Sequence, residues 1–520
     1  MQYKHFGAFL DLVGNGALNL QSFKKYVDYL SLMDYNLLEL GLDDMFKIES
    51  EPYFGYLRGG YNKQTLREME EYANSKGIQI IPCIQTLGHM DNVLSNPHYF
   101  DLCDIENILL VDDAKVDSLI EKMFIALRDA FKTDEINLGF DEAHYVGLGK
   151  YLDLHGYHDR FELLLKHLNK VVKLAEKYDF KVHIWADMFY KLANHGEYIA
   201  KNIHFAEDVV KKIPTGIGLC YWDYDTTDES VYDSMFNTLE EAGVEVWFGG
   251  AANTWWGYAP LNTYSMEAMK PAMKQVIKHG VKNVLLTSWG NSGHECSFFA
   301  VLPTLYAVRQ YSLGNFDDEK IKQGFKSLFG LDFDLFMLLD LPNKNDYNPD
   351  LKNADSTCRA LLLDDCFLGK RDLQLSRISH IPFGEYAQKL KDVSSEMGDF
   401  KYLFDNLSSL CFALELKAEL GMKTRTAYSN NDKESLKELL PIYEETAVRI
   451  EKFKNNYRTV WMKENTPYGW DFHEKRLGGI VFRVRDCALR IKEYLSGSVG
   501  SIPELEDEIL TYGVWSSMIW

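Results

Sequence analysis

The sequence predicts an α/β protein: a (β/α)8 TIM barrel over residues 1–315, followed by an α-helical C-terminal domain over residues 316–520. Two observations carry the prediction. Apolar, strand-like runs alternate with amphipathic helical stretches from residue 6 to about residue 313. From roughly residue 314 the strand signals vanish and helical periodicity dominates. Eight strand–helix units over about 300 residues is the pattern of a closed parallel barrel.

The strands are read at Phe6–Asp11, Asn36–Leu42, Ile78–Ile84, Glu135–Phe140, Lys181–Ala186, Gly216–Trp222, Val244–Gly249 and Lys282–Trp289. Amphipathic stretches lie between them, among them Leu20–Met33, Lys63–Ser75, Lys115–Phe131, Arg160–Tyr178, Ser230–Ala242 and Met266–His279. Gly77, Gly243 and Gly280 each stand where a helix must stop before the next strand. An open doubly wound sheet is the rival architecture, but Asp11-Leu-Val-Gly14-Asn-Gly16 is a poor match to the Gly-rich phosphate loop such sheets carry. Past the barrel, helices are expected over Phe400–Met422, Lys433–Tyr457 and Lys475–Leu495. A helical domain of this kind could cover the barrel, wall its cleft or mediate a homodimer.

Composition narrows the function. The balance of 56 Lys plus Arg against 77 Asp plus Glu gives a net charge of −21, which repels nucleic acid and anionic membranes. No window reaches 18 consecutive apolar residues, so no membrane span is expected. The N-terminus lacks an apolar signal-peptide core. The eight cysteines, at 83, 103, 220, 296, 358, 366, 411 and 487, form no CxxC or zinc-type cluster and read as reduced thiols. A cytoplasmic location without cofactor or metal is the expectation.

Catalytic groups of such barrels stand at the C-terminal ends of the strands. Reading those ends in order gives Asp11; Asp43 and Asp44; Gln85 and His89; Asp141, Glu142 and His144; Trp185 and Asp187; Tyr221, Trp222, Asp223 and Tyr224; Asn253, Trp255 and Trp256; and Trp289, Asn291, His294 and Glu295. Five of the ten tryptophans fall on this rim, interleaved with carboxylates, which suits a carbohydrate pocket. Metal-assisted hydrolysis finds little support: there is no HExxH, and His155 and His158 sit in a Gly-containing loop. Glycoside hydrolysis by carboxylates fits better. The adjacent pair Asp141-Glu142 suits a substrate-assisted variant, in which the sugar's own 2-acetamido oxygen attacks the anomeric carbon. Glu142 then protonates the leaving oxygen, and Asp141 orients the acetamide and stabilises the oxazolinium. Alternation along a strand is expected to face the two carboxylates apart, and the acid needs a pKa raised by burial and a neighbouring charge.

Gly-Phe-Asp141-Glu142 resembles the Gly-x-Asp-Glu motif of family 20 glycoside hydrolases, the β-N-acetylhexosaminidases. Asp43-Asp44, Gly88-His89, Trp185-x-Asp187, Tyr221-Trp222-Asp-Tyr224, and Trp289 with Glu295 fall where that family places pocket residues. The segments Glu51–Tyr61, Pro82–His89 and Asp141–Gly149 are similar to a bacterial branch with a helical C-terminal domain. The resemblance implies a retaining, exo-acting enzyme on terminal β-linked GlcNAc or GalNAc of an oligosaccharide or glycoconjugate. It makes Glu142 the acid/base and Asp141 the acetamido partner. Trp185, Trp222, Trp255 and Trp289 would line the substrate pocket, Tyr224 (or its rival Tyr221) would donate to the acetamido oxygen, and Glu295 would accept from O4 or O6. His89 and Asp43 would support the acid.

The chain departs from the family at strand 1. An Arg expected three residues after the Asp, to grip O3 and O4, is Gly14 here, and Arg58 is the nearby candidate to replace it. No counterpart of the family's N-terminal α/β domain is expected, since strand 1 is read almost at the start of the sequence. Space beside O3 leaves open an O3-substituted substrate, as for a lacto-N-biosidase. A glycan-binding protein without activity is the remaining alternative, against which the intact Asp141, Glu142, Trp289 and Glu295 argue.

Overall fold

The computed structural model describes residues 2–199 and 201–510. The chain divides into two compact units. The first takes residues 1–252, 265–289 and 305–316; the second takes 253–264, 290–304 and the chain from Asp317 onward.

The first unit is built on a closed barrel of eight parallel strands: β1 (His5–Asp11), β2 (Leu37–Gly41), β3 (Gln79–Cys83), β4 (Glu135–Asn137), β5 (Lys181–Trp185), β6 (Gly218–Trp222), β7 (Glu245–Ala251) and β8 (Asn283–Ser288). Going round the barrel the order is β1-β8-β7-β6-β5-β4-β3-β2. Closure is carried by the β1–β8 ladder, which runs from His5↔Asn283 to Leu10↔Ser288. Strands covered on both faces read as near-continuous apolar runs, and every residue of β1, β2 and β8 is buried. Helices follow the strands: α1 (Leu20–Leu32), α2 (Lys63–Ser75), α3 (Ala114–Ala130), α4 (Arg160–Glu176), α5 (Asp187–Ala193) and α6 (Glu229–Glu241). Their starts are set by polar side chains that take up free helix N–H groups. Asn19, Asn62, Asp113, Asp159 and Asp228 cap α1, α2, α3, α4 and α6 in this way.

The barrel interior is not wholly apolar. Glu39, fully buried, accepts from Asn137 Nδ2 at 2.7 Å and meets His183 Nε2 at 3.0 Å. The His183 ring stacks on Trp247 with centroids 4.0 Å apart and 7° between planes, and His5 stacks on Trp247 as well. A buried polar group is tolerable only when its partners are satisfied; here β2, β4 and β5 each contribute one member of the network. Toward the C-terminal ends an aromatic layer replaces it. Phe9, Trp185, Cys83 and Cys220 form its core, and Trp222 and Trp289 pack on it.

The second unit is dominated by helices, chiefly α7 (Lys401–Lys417), α8 (Lys433–Glu464) and α9 (Trp470–Ser496), which pack on one another. No described helix is long and apolar enough to cross a membrane. All eight cysteines are free thiols, seven of them buried.

Candidate active site

The barrel rim takes its shape from the end of β4. The ladder stops at Asn137, three residues short of where a strand reaching Phe140 would carry it. Gly139 and Phe140 both have φ of +74°, and Glu142 has φ of +51°. A Cβ at residue 139 would lie 2.0 Å from Gln85 Oε1, so only glycine fits this turn. The orientation of Asp141 and Glu142 therefore comes from a left-handed turn. The expectation that strand alternation faces them apart is corrected on this point, since alternation requires extended backbone.

Asp141 is held from two sides. Gln85 Nε2 donates to its Oδ1 at 3.0 Å, and His89 Nε2 lies 3.2 Å from its Oδ2. Burial works to raise the Asp141 carboxyl, but the His89 cation and the hydrogen bonds outweigh it and hold it below the usual range. In return the Asp141 charge pushes His89 up to about 10, against the effect of burial. At neutral pH the pair is an ionised carboxylate on an imidazolium. His89 Nε2 is also 3.6 Å from Glu142 Oε2, so one cation faces both carboxylates.

Glu142 is the exposed member, with 44% of its side-chain surface open. Its backbone N–H donates to Asp187 Oδ2 at 3.0 Å, and Lys191 Nζ stands 3.8 Å from its Oε1. Asp187 is fully buried at the start of α5, and Lys191 one turn on lies 3.5 Å from it. Burial, and then the Asp141 charge, pushes Asp187 up to about 7. Lys191 also contacts His144 Nε2 at 3.2 Å, and burial together with that lysine keeps His144 below the usual imidazole range. Behind His89, Asp43 is pushed well above the usual carboxylate range by burial and by the charges of Asp11 and Asp44.

Opposite the carboxylates the aromatic layer forms a wall. Trp289 lies 4.6 Å from Phe9 and 5.7 Å from Trp185, centroid to centroid. The Trp289 indole donates to Tyr224 Oη at 3.0 Å, and Trp222 stacks on Tyr224 at 5.1 Å and 20°. Tyr198 Oη holds both the N–H and the carbonyl of Trp222, fixing the end of β6. The two rival tyrosines separate: Tyr221 is buried with its hydroxyl donating to Asp223 at 2.6 Å, whereas Tyr224 is half-buried beside Trp222 and Trp289.

The loop after β1 carries Gly14, and Arg58 reaches it. Arg58 Nε donates to Asp44 Oδ2 at 3.0 Å, Nη1 to Asn15 Oδ1 at 2.8 Å and Nη2 to the Val13 carbonyl at 2.5 Å. This guanidinium ties the β1 loop to a buried aspartate.

The remaining two sequence candidates, Trp255 and Glu295, belong to the second unit. Glu295 is buried with Arg359 Nε 2.6 Å from one oxygen and Arg476 Nη1 2.6 Å from the other. Burial raises its carboxyl despite both arginines. The oxygens expected to accept from sugar hydroxyls already face guanidinium groups. Among the described residues no group of three or more His, Cys, Asp and Glu is arranged to hold a metal ion.

Four contributors carried no assigned role in the sequence: Gln85, Lys191, Tyr198 and Phe9. Lys191 had a legible signal, lying four residues after Asp187 on one helix face. Phe9 lies two residues before the end of β1 and so shares the face of Asp11. Tyr198, in a loop, had none.

Residues 3–229 match the catalytic domain of glycosyl hydrolase family 20, and residues 334–518 match the glycoside hydrolase 20C C-terminal domain. Hexosaminidase D of Homo sapiens is 23% identical over 354 residues, covering 60% of this chain and 68% of that protein. Among solved structures, the exo β-N-acetylglucosaminidase from Vibrio harveyi aligns at 16% identity with a TM-score of 0.47, over 63% of this chain and 58% of that one. The β-N-acetylhexosaminidase from Bacteroides fragilis aligns at 17% identity and 0.49, over 63% and 71%.

Proposed function

Since the chain belongs to glycoside hydrolase family 20 and is thus a glycoside hydrolase, we propose that it is a retaining, exo-acting β-N-acetylhexosaminidase working through an oxazolinium intermediate. One observation carries the reading. An ionised Asp141, held by Gln85 and His89, directly precedes a half-exposed Glu142 across from an aromatic wall.

In the first step the acetamido carbonyl oxygen attacks C1 while the C1–O bond to the leaving group breaks. Glu142 gives its proton to the departing oxygen. Asp141 accepts from the acetamide N–H, and its fixed charge stabilises the cation that develops there. A charge arranged before reaction needs no reorganisation when the transition state forms, which is why such groups are effective. In the second step water attacks C1, Glu142 takes its proton, and the acetamide is released. Two attacks on one carbon retain the β configuration. Trp185, Trp222 and Trp289 line the sugar face, and Tyr224 donates to the acetamido oxygen. His89 and Asp43 position the two carboxylates. The proposal makes no use of direct sugar contacts from Trp255 or Glu295.

Arg58 supports a plain terminal sugar over an O3-substituted one, because a guanidinium stands at the loop that lost its own. Eight free thiols suit a reducing compartment, and we place the protein in the cytoplasm. The test is initial rate on chromogenic β-GlcNAc, β-GalNAc and β-lacto-N-biose, with a thiazoline analogue of the intermediate as inhibitor. Release of a monosaccharide with tight thiazoline inhibition is expected. Release from the disaccharide alone would transfer the assignment to the O3-substituted substrate, and silence on all three would overturn the enzyme reading.

A further inference from the structure

The face of α9 that points away from its neighbours has a regular structure of its own. Lys475, Gly479, Phe482, Asp486 and Leu489 follow one another at spacings of four, three, four and three, the seam spacing of a coiled coil. All five are exposed. Phe482 is 73% open to solvent, an unusual position for a Phe in the middle of a 27-residue helix. Gly478 and Gly479, side by side inside the same helix, weaken it, and a Cβ on either would meet nothing within 4 Å. An exposed ring thus stands one turn from an open, side-chain-free spot on the same helix face.

We propose that this face pairs with the same face of a second copy of the chain, as an antiparallel two-fold helix pair centred between Gly479 and Phe482. The register follows from the sequence. About that centre, Phe482 of each copy falls opposite Gly479 of the other, so a ring enters a gap. Lys475 falls opposite Asp486 and Phe472 opposite Leu489, each pair occurring twice by symmetry. Asp471 and Arg490 flank the seam in matching positions. Sliding the pair by one heptad in either direction breaks this agreement: one shift sets Phe482 against Asp486, and the other sets Lys475 against Gly479. Within one copy, among the described residues, Lys475 is paired with Asp471 at 2.8 Å and Asp486 with Arg483 at 3.1 Å, both exposed and one turn apart. Exposed pairs of this kind contribute little, so re-pairing across a seam costs little. The inference is independent of the hydrolytic assignment.

Sedimentation of the full chain between about 1 and 50 μM tests it. The wild type is expected at twice 60.1 kDa. Gly479→Leu and Phe482→Glu should each raise the dissociation constant at least tenfold, with circular dichroism and glycosidase activity unchanged, since both sites are open in the single chain. Lys475→Glu alone and Asp486→Lys alone should also dissociate. Mixing those two variants should restore the dimer, because each then meets an opposite charge at both layers. That rescue separates this register from any other mode of association. A wild type that stays at 60.1 kDa throughout, or a dimer insensitive to Gly479→Leu and to both charge reversals, overturns the proposal.

Discussion

Replacing Asp187 with alanine should slow hydrolysis of unactivated glycosides by about 10- to 150-fold at pH 8 while leaving activated ones nearly unchanged. Asp187 touches no substrate in the proposed mechanism. It accepts the backbone N–H of Glu142 at 3.0 Å from a fully buried position, and Glu142 sits in the left-handed region at φ +51°. Such a conformation costs an L-residue roughly 1–2 kcal/mol and persists only while something holds it. A hydrogen bond to a charged acceptor contributes about 1.5–3 kcal/mol, and at about 1.4 kcal/mol per decade this sets the stated range. The variant also frees Lys191, 3.5 Å from Asp187 and 3.8 Å from Glu142, to turn toward the acid. Both effects misplace proton donation without touching the nucleophilic acetamide. The assay compares kcat on a chitobiose-type substrate with kcat on a dinitrophenyl glycoside, whose leaving group needs no proton. Because burial and the Asp141 charge push Asp187 up to about 7, the gap between wild type and variant should narrow at pH 6, where the wild-type carboxyl takes a proton. Equal losses on both substrates, or a loss under about threefold on the poor one, would refute the positioning argument.

Glu142→Gln should lose about 10²- to 10⁴-fold on substrates that need protonation and little on dinitrophenyl glycosides, read as the ratio of their kcat values. Asp141→Asn should cut kcat by about 10²- to 10³-fold on both and weaken thiazoline binding, measured by inhibition. The same variant changes the pH dependence of stability. His89 is raised from 6.5 to about 10 by Asp141, so the pair stabilises the fold fully below pH 6.5 and loses that contribution as pH rises through 10. Moving from pH 7 to pH 10 should therefore lower the Tm of the wild type more than that of Asp141→Asn. Arg58→Ala leaves buried Asp44 without its guanidinium and should destabilise the barrel by about 3 kcal/mol, visible in denaturant unfolding, with a raised KM if the β1 loop borders the sugar.

Most of the barrel was legible in residue order, because parallel strands buried on both faces must be continuous apolar runs, and runs such as Phe6–Asp11 and Lys282–Trp289 leave no other reading. Strand ends mark rim positions, so Asp141, Glu142, His89, Trp185, Trp222 and Trp289 could be named before any coordinates. The polar layer of Glu39, Asn137 and His183 could not. Each is an isolated polar residue in an apolar strand, and only closure of the barrel brings the three within hydrogen-bond reach. The partners of Glu295 were hidden in a different way: it looks like a rim acceptor in sequence, while its counter-charges Arg359 and Arg476 lie 64 and 181 residues away.

The chain's order of residue types determined the fold class, the strand ends and the identity of the carboxylate pair, since all three follow from local periodicity and from which groups may end a buried strand. What the tertiary structure decided is the state of those groups. Asp141 is held below the usual carboxylate range and Asp43 pushed well above it although both are aspartates at strand ends, because His89 and Gln85 reach the first while desolvation and the charges of Asp11 and Asp44 act on the second. Glu142 faces solvent because a left-handed turn at Gly139 and the hydrogen bond its N–H donates to Asp187, 45 residues on, set its backbone. Tyr224 is the hydroxyl that stands beside Trp222 and Trp289, whereas Tyr221 donates to Asp223. Charge state and orientation depend on which atoms lie within a few ångströms, and only the folded chain fixes those distances.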